Sequence, residues 1–248
     1  MKRIVALVII ALMGVGVFAL WRTFAVASER PQSAVTSVIA VPTTPPGQSD
    51  PAAVAAALAA LPSLGVKKLT PQPGYDLSCS PGHACSFGQR WTDDYDGPSG
   101  RNGCGGRDDV LAQQLSDVQR RNECVVVGGV FTDPYSGEII TFSKDQASQV
   151  PIDHVYARKL AWDMGAWAWP IEKRIQFAND TELNLVVTTQ RMNSSKSDDG
   201  PSVWLLRLTG ERGCDYASRF TLVAARYGLF VTGADEAALR RTLTVCAR

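Results

Sequence analysis

The sequence predicts an α+β fold in which helices outnumber strands and disulfide bonds cross-link the chain. Three observations support this prediction. Several segments repeat apolar residues with a helical period, two β-rich runs flank a turn with proline and glycine, and six cysteines follow an apolar N-terminal segment. A chain of 248 residues has room for one sizeable domain plus extensions.

The first predicted elements are a helix and a β-hairpin. The stretch RDDVLAQQLSDV (107–118) places Val110, Leu111, Leu115 and Val118 on one helical face. The runs ECVVVGGVFTD and EIITFS are rich in β-forming residues, and DPYSG lies between them. Proline and glycine stand in DPYSG where a hairpin turn needs them, so we expect a hairpin here.

The C-terminal half is predicted to be mainly helical. RKLAWDMGAWAW and PIEKRIQFAND indicate helices, the second with Pro170 in its first turn, and LNLVVTT indicates a strand or buried extended run. CDYASRFTLVAARYGL predicts a helix that Gly228 ends. GADEAALRRTLTVC predicts another helix, with Asp235 and Glu236 in its first turn, where acidic side chains interact favourably with the helix dipole.

Residues 1–27 have the pattern of an export segment. Two basic residues precede an uninterrupted apolar run at 4–20, and AVA at 25–27 fits a signal peptidase site. The apolar run nearly spans a hydrocarbon core of about 30 Å, so an uncleaved transmembrane anchor is the alternative to a signal peptide. Both alternatives export the remainder, which is then secreted or held at the outer face of the cytoplasmic membrane.

A linker is predicted between this segment and the domain. Residues 28–65 are rich in proline, serine, threonine and alanine, and only a short helix at 52–60, begun by Asp50 and Pro51, is expected there. We therefore expect the folded domain to comprise residues 66–248.

The cysteines predict disulfides because the chain is exported. Six cysteines allow 15 connectivities, and the sequence does not choose among them. The simplest hypothesis pairs neighbours: Cys79 with Cys85, Cys104 with Cys124, and Cys214 with Cys246. A zinc site in CSPGHAC is the alternative for the first pair, although it lacks a clear fourth ligand.

The charge of the chain argues against general attraction of polyanions. The net charge is +1, from 25 basic and 24 acidic residues. Without residues 1–27, which hold three basic and no acidic residues, 22 basic and 24 acidic residues remain, so the net charge becomes −2. Any contact with nucleic acid must come from a local cluster.

The candidate chemistry centres on VPIDHVYARKLAWDMGAWAW (150–169). The chain has only two histidines, His83 and His154, and His154 follows Asp153 directly. A neutral imidazole is a good general base near neutral pH. Adjacent side chains of an extended chain point to opposite faces, so we expect the two residues to serve different partners. Asp153 with the amide oxygen of Asn193 would form an oxygen-rich site that suits Mg²⁺.

The segments IDHV, AWDMGAWAW, KRIQFAND, LNLVV and NSSKSDDG follow one another along the chain. In this order they resemble the HNH-type endonucleases (ββα-metal, His-Me finger). The strings WTDDYDG, NGCGGRDDVLAQQL and CDYASRFTLVAARYGLFVT extend the resemblance to a bacterial secreted HNH family, related to the C-terminal domain of the GmrSD restriction endonucleases. The resemblance covers about residues 66–248. It implies an HNH-type core with additional helices and a β-hairpin.

The resemblance also implies roles for individual residues. His154 would be the catalytic base that activates water, and Asn184 would complete the catalytic set by tying a loop to a helix through hydrogen bonds. Asp153 and Asn193 would hold one divalent metal, Mg²⁺ or alternatively Mn²⁺, and Lys196 would face phosphate. The implied partner is a nucleic acid, with DNA favoured over RNA, cut to leave 5′-phosphate ends. We expect a monomer that meets a membrane only through an uncleaved N-terminal segment.

Arg107, in GGRDDVL, is a second candidate substrate-binding residue. It lies at a predicted helix start, where backbone N–H groups favour anions. The alternatives are a structural arginine or an ion pair with Asp108 or Asp109.

The chain departs from the family pattern at three places. One is Ala224 in AARYGL, where the family has a lysine, so fewer cations lie near the cleft. The chain also has FANDTELNL where the family has FANDPLNL, and KSDDG where the family has KGD. These differences leave two other hypotheses open. The first is a catalytically inactive nuclease scaffold that binds a partner in the cell envelope, and the second is an unrelated metal-dependent hydrolase.

Overall fold

Residues 39–248, the part of the chain that this computed structural model describes, contain eight α-helices and five short strands, joined by loops and short 3₁₀ turns. The helices are α1 (Pro51–Ala60), α2 (Gly106–Gln114), α3 (Arg158–Asp163), α4 (Ile171–Ala178), α5 (Gln190–Lys196), α6 (Pro201–Trp204), α7 (Glu211–Tyr227) and α8 (Gly233–Cys246). The strands are β1 (Ser116–Arg120), β2 (Val126–Thr132), β3 (Ile139–Ser143), β4 (Ile152–His154) and β5 (Leu185–Val187). The α+β prediction is confirmed.

Helix α1 is part of the folded body. The Asp50 carboxylate caps it by accepting hydrogen bonds from the backbone N–H groups of Ala52 and Ala53. One face of α1 and the turn after it are buried in the main core, and α1 packs on α7 and α8. The buried residues are Ala53, Val54, Ala57, Leu61 and Leu64.

The predicted domain boundary at residue 66 therefore lies too far along the chain. The predicted helix at 52–60 is present, but it contributes to the core instead of lying in a linker. The small side chains that gave this segment its linker-like composition are the ones that pack against α7. Upstream of α1, the Gly47 N–H donates to Asp215, and Arg219 donates to the Thr44 carbonyl, so this arm is also bound to α7.

The three-stranded sheet has the order β1-β2-β3 and is antiparallel. Strands β2 and β3 pair in regular register from Gly128 with Ser143 to Thr132 with Ile139, which confirms the predicted hairpin. The helix predicted over 107–118 ends at Gln114, and residues 116–120 form β1 instead. Pairing of β1 with β2 outweighs the helical pattern at Val118.

The second sheet consists of β4 and β5 alone, and α5 follows it directly. The strands are antiparallel, with Asp153 opposite Val186 and His154 opposite Leu185. Helices α3 and α4 lie in the connection between them. The continuous helix predicted over 158–169 is interrupted at Gly165, whose φ of 137° lies in a region that favours glycine.

The C-terminal helices follow the prediction. Gly228 ends α7 in the left-handed conformation with φ 66°, and Thr232 caps α8 by accepting from the Asp235 N–H. All three neighbour disulfides are formed. The Cys79–Cys85 bond leaves no thiolates for the alternative zinc site.

The predicted signal peptide or anchor at residues 1–27 lies outside the described residues. Within residues 39–248, no helix has both the length and the apolar character needed to cross a membrane.

Candidate active site

An open cleft brings three of the predicted site residues together. Asp153 and His154 from β4 and Asn193 from α5 line it, with Arg158 from the start of α3 beside them. The remaining lining residues include Tyr75, Lys159 and Asp198. The cleft thus collects side chains that lie up to about 120 positions apart along the chain.

Asp153 is 5% exposed, and its carboxylate has two protein partners. The Tyr135 hydroxyl donates to Oδ2 over 2.6 Å. The Lys196 ammonium lies 3.0 Å from Oδ2 and 3.2 Å from Oδ1. Burial, and then the charge of Asp153, raise the pKa of Tyr135 well above its usual range, so this hydroxyl stays protonated and remains a donor.

His154 is 7% exposed and lies between the rings of Trp91 and Phe177. Its Nε2 lies 2.9 Å from the Ala178 carbonyl oxygen. A carbonyl only accepts, so Nε2 carries the proton and Nδ1 carries the free lone pair. Burial is the largest cause that holds the pKa of His154 well below its usual range, and the nearby cations, led by Arg158, add to it. The imidazole is therefore neutral at pH 7.

Asn184 is fully buried and connects β4 to α4. Its Oδ1 accepts from the Tyr156 N–H, and its Nδ2 donates to the Phe177 carbonyl. Its own carbonyl accepts from the Val155 N–H. The segment after His154 is thereby fixed to the end of α4, although Asn184 does not line the cleft. Its part in catalysis stays a prediction.

Helix α5 carries Asn193 to the cleft. Thr189 caps α5 by accepting from the Met192 N–H. Asp133, which is completely buried, accepts from the Thr188 hydroxyl and the Thr189 N–H at the same junction. Its other oxygen accepts from the Tyr135 N–H in the hairpin turn. One carboxylate therefore joins the hairpin to the start of α5.

Lys196 does not take the position that the resemblance implied. It is 0% exposed, and its ammonium donates to Asp153 and, over 2.9 Å, to the His154 carbonyl oxygen. In this arrangement Lys196 cannot face a phosphate in the cleft. The physical reason is the packing of α5 against β4, which leaves the Lys196 ammonium bonded to Asp153 and to the His154 carbonyl and out of water.

Arg107 also has a structural position. Its guanidinium donates to the carbonyl oxygens of Ala147 and Val150, over 3.2 Å and 2.8 Å, in the segment that leads into β4. It is not among the cleft residues. The geometry supports the structural alternative for Arg107 over substrate binding.

Three residues near the cleft carry no signal in the sequence as site residues. Tyr135 lies in a hairpin turn, where its sequence context indicates only the turn. Arg158 follows His154 by four residues and lines the same cleft. Arg90 lies in a loop and lines a smaller opening beside the imidazole. Only the tertiary fold brings them to the site.

The family model of the GmrSD restriction endonucleases, C-terminal domain, matches residues 106–241, which is more than half of the chain. The chain belongs to this family. The matched range contains Asp153, His154, Asn184, Asn193 and Lys196. It places the chain in a nuclease-related family, as the resemblance predicted.

A relative from the fungus Arthroderma benhamiae, described as an uncharacterized secreted protein, is 32% identical over 215 residues. The aligned part covers 86% of this chain and 96% of the relative. No solved structure matches. The secreted relative and the three disulfides indicate an extracellular protein. The resemblance is to a bacterial family, and the fungal origin of this relative does not support that detail.

Proposed function

We propose that this protein is an exported, metal-dependent endonuclease of the HNH type that hydrolyses phosphodiester bonds in DNA, with RNA as the alternative substrate. The observation that carries the proposal is the cleft in which a neutral imidazole, a carboxylate and a carboxamide meet on β4 and α5. The order of two antiparallel strands followed by a helix supports the HNH type. The nuclease-related family supports the substrate class.

His154 is the general base of the proposed reaction. Its Nδ1 lone pair accepts a proton from water, and the water oxygen bonds to phosphorus. The bond between phosphorus and the 3′ oxygen breaks, so the products carry a 5′-phosphate and a 3′-hydroxyl after that oxygen is protonated. The low pKa of His154 keeps the base unprotonated before the reaction, and the Ala178 carbonyl holds the ring in the required tautomer.

The donor set of the cleft fits a hard divalent ion that retains several waters. Asp153 Oδ2 accepts from both Tyr135 and Lys196, whereas Oδ1 accepts only from Lys196 and keeps lone pairs for a ligand. The Asn193 carboxamide supplies the second oxygen. In the part of the chain that the structure describes, no group of three or more His, Cys, Asp or Glu residues could hold a metal. An ion held by these two oxygens would therefore keep coordination positions for water. Mg²⁺ suits such a site, with Mn²⁺ as the alternative. A bound ion would neutralise charge that develops on the phosphate.

The test is plasmid nicking by the oxidised protein in Mg²⁺ or Mn²⁺, with the two histidines as matched variants. His154→Ala should lose about 10²–10⁴-fold in rate because it removes the base. His83→Ala is the control, since His83 is exposed and bonds to Asp76 outside the cleft. Nicking that survives His154→Ala in correctly folded protein refutes the assignment of the base.

A binding module without catalysis is the second candidate, and one observation favours it. The Lys196 ammonium already neutralises the carboxylate that would hold the metal. Asn193→Ala separates the two functions, because it should raise the Mg²⁺ concentration needed for nicking only if the cleft holds the ion. Absence of nicking in every metal, together with retained binding of DNA, would favour the binding module.

A further inference from the structure

Two arginine side chains beside His154 have no acidic partner in the described structure. Arg158 is half-buried, and its side chain lines the cleft together with Asp153 and His154. Arg90 is exposed and meets Arg158 at the smaller opening next to the imidazole, which Trp91 also lines. Within residues 39–248, neither guanidinium forms a hydrogen bond or an ion pair with the protein.

Five other arginines within residues 39–248 form ion pairs with carboxylates: Arg101, Arg191, Arg219, Arg226 and Arg240. Arg219 shows what a buried arginine requires, because it bonds to Asp215 over 2.7 Å and to two backbone carbonyls. Arg158 lies partly out of water without such partners, and a cation in that position is costly until an anion reaches it.

The surroundings of Arg158 concentrate positive charge at the imidazole. Burial is the largest cause that lowers the pKa of Arg158. Tyr75 and, to a smaller extent, the charge of Asp153 oppose it, and the charge of Arg90 adds to it. Asp153 cannot compensate Arg158 fully because Lys196 already binds that carboxylate. The exposed Asp198 on the rim accepts from the Ser197 hydroxyl.

We propose that Arg158, together with Arg90, binds the non-bridging oxygens of the phosphodiester next to which His154 activates water. A guanidinium presents a planar fork of N–H donors that matches two phosphate oxygens, and its charge-assisted hydrogen bonds are strong. This inference rests on the proposed function. It gives to Arg158 the phosphate contact that Lys196, buried against Asp153, cannot make.

The experiment measures binding of fluorescein-labelled DNA oligonucleotides, single- and double-stranded, to the full oxidised chain in EDTA at several salt concentrations. The variants are Arg158→Gln, Arg158→Lys, Arg90→Gln and the double glutamine variant. Arg240→Gln is the control because Arg240 is exposed and paired with Glu236 on α8. Arg158→Gln should weaken binding about tenfold or more and reduce the salt slope by about one, whereas Arg240→Gln should change neither.

Arg158→Lys distinguishes bidentate binding of phosphate by a guanidinium from attraction by a single positive charge. It should retain the salt slope and recover only part of the affinity, since an ammonium cannot bond to two oxygens at once. The urea midpoint of Arg158→Gln should equal or exceed that of the unmodified chain, because the variant removes an uncompensated cation. A lowered midpoint would instead indicate a structural arginine and would count against the proposal.

The remaining outcomes distinguish failure of this inference from failure of the proposed function. Wild-type binding that the double glutamine variant retains overturns the phosphate contact, and nicking that depends on His154 then leaves the nuclease in place. Failure of the unmodified chain to bind either oligonucleotide at low salt also overturns it. Binding that depends on Arg158, with no nicking in any metal, keeps the contact and refutes the nuclease.

Discussion

Lys196→Met is the substitution that tests the buried ion pair most directly. It keeps the length of the side chain and removes the charge, so Asp153 loses its cation in a position that is only 5% exposed. Removing one partner of a buried pair costs about 3–5 kcal/mol. The Tyr135 hydroxyl still donates to Asp153, which places the expected loss near the lower end, at about 3 kcal/mol. For a chain of this size the melting temperature should fall by about 6–12 °C.

The assay is urea unfolding of the oxidised protein in EDTA, followed by tryptophan fluorescence. Arg191→Met is the matched control on the same helix, since its ion pair with Glu138 is exposed on both sides and should contribute less than about 1 kcal/mol. Combining Lys196→Met with Asp153→Asn should recover much of the loss, because the buried site then holds no unpaired charge.

An unchanged unfolding midpoint for Lys196→Met would refute the buried ion pair. If that variant also bound DNA more weakly, the phosphate-facing role that the resemblance implied would be correct. If DNA binding were unchanged while stability fell, the position of Lys196 beneath β4 would be supported.

Three further predictions follow from the same geometry. Asn184→Ala should lower the free energy of unfolding by about 2–4 kcal/mol in a urea titration, because two buried backbone groups lose their partners, whereas Asn193→Ala should stay within about 0.5 kcal/mol. In EDTA, stability should fall as the pH drops below about 6.5, since the unfolded chain takes up a proton that folded His154 resists. His154→Gln should remove that part of the pH dependence. The prediction is contradicted if the free energy of unfolding of this variant changes between pH 7.5 and 5 as steeply as that of the unmodified chain. A chain starting at residue 66 should fail to give a cooperative transition, whereas one starting at 39 should retain it, because α1 fills the core.

The elements that the sequence predicted correctly depend on local chemistry. The hairpin follows from the DPYSG turn. Helix α7 ends at Gly228 because glycine readily adopts the positive φ of a left-handed C-terminal cap. The neighbour disulfides are short-range closures in the chain. In each case the residues that determine the feature lie within a few tens of positions of one another along the chain.

The elements that the sequence did not predict depend on tertiary contacts. Alanine-rich α1 has the composition of a linker, and only its packing against α7 makes it part of the core. The inward position of Lys196 depends on how α5 lies against β4, which a motif does not specify. The candidate base and ligand residues were found through their order along the chain, but Arg158 and Arg90 needed the folded cleft.

Asp133 gives the two walls of the cleft a common anchor point. One of its oxygens fixes the turn that presents Tyr135, and the other fixes the first residues of the helix that presents Asn193. A shift of the hairpin would therefore displace the support of Asp153 and the opposite ligand side chain at the same time. The distance between the two walls of the cleft thus depends on a buried carboxylate that does not itself line the cleft.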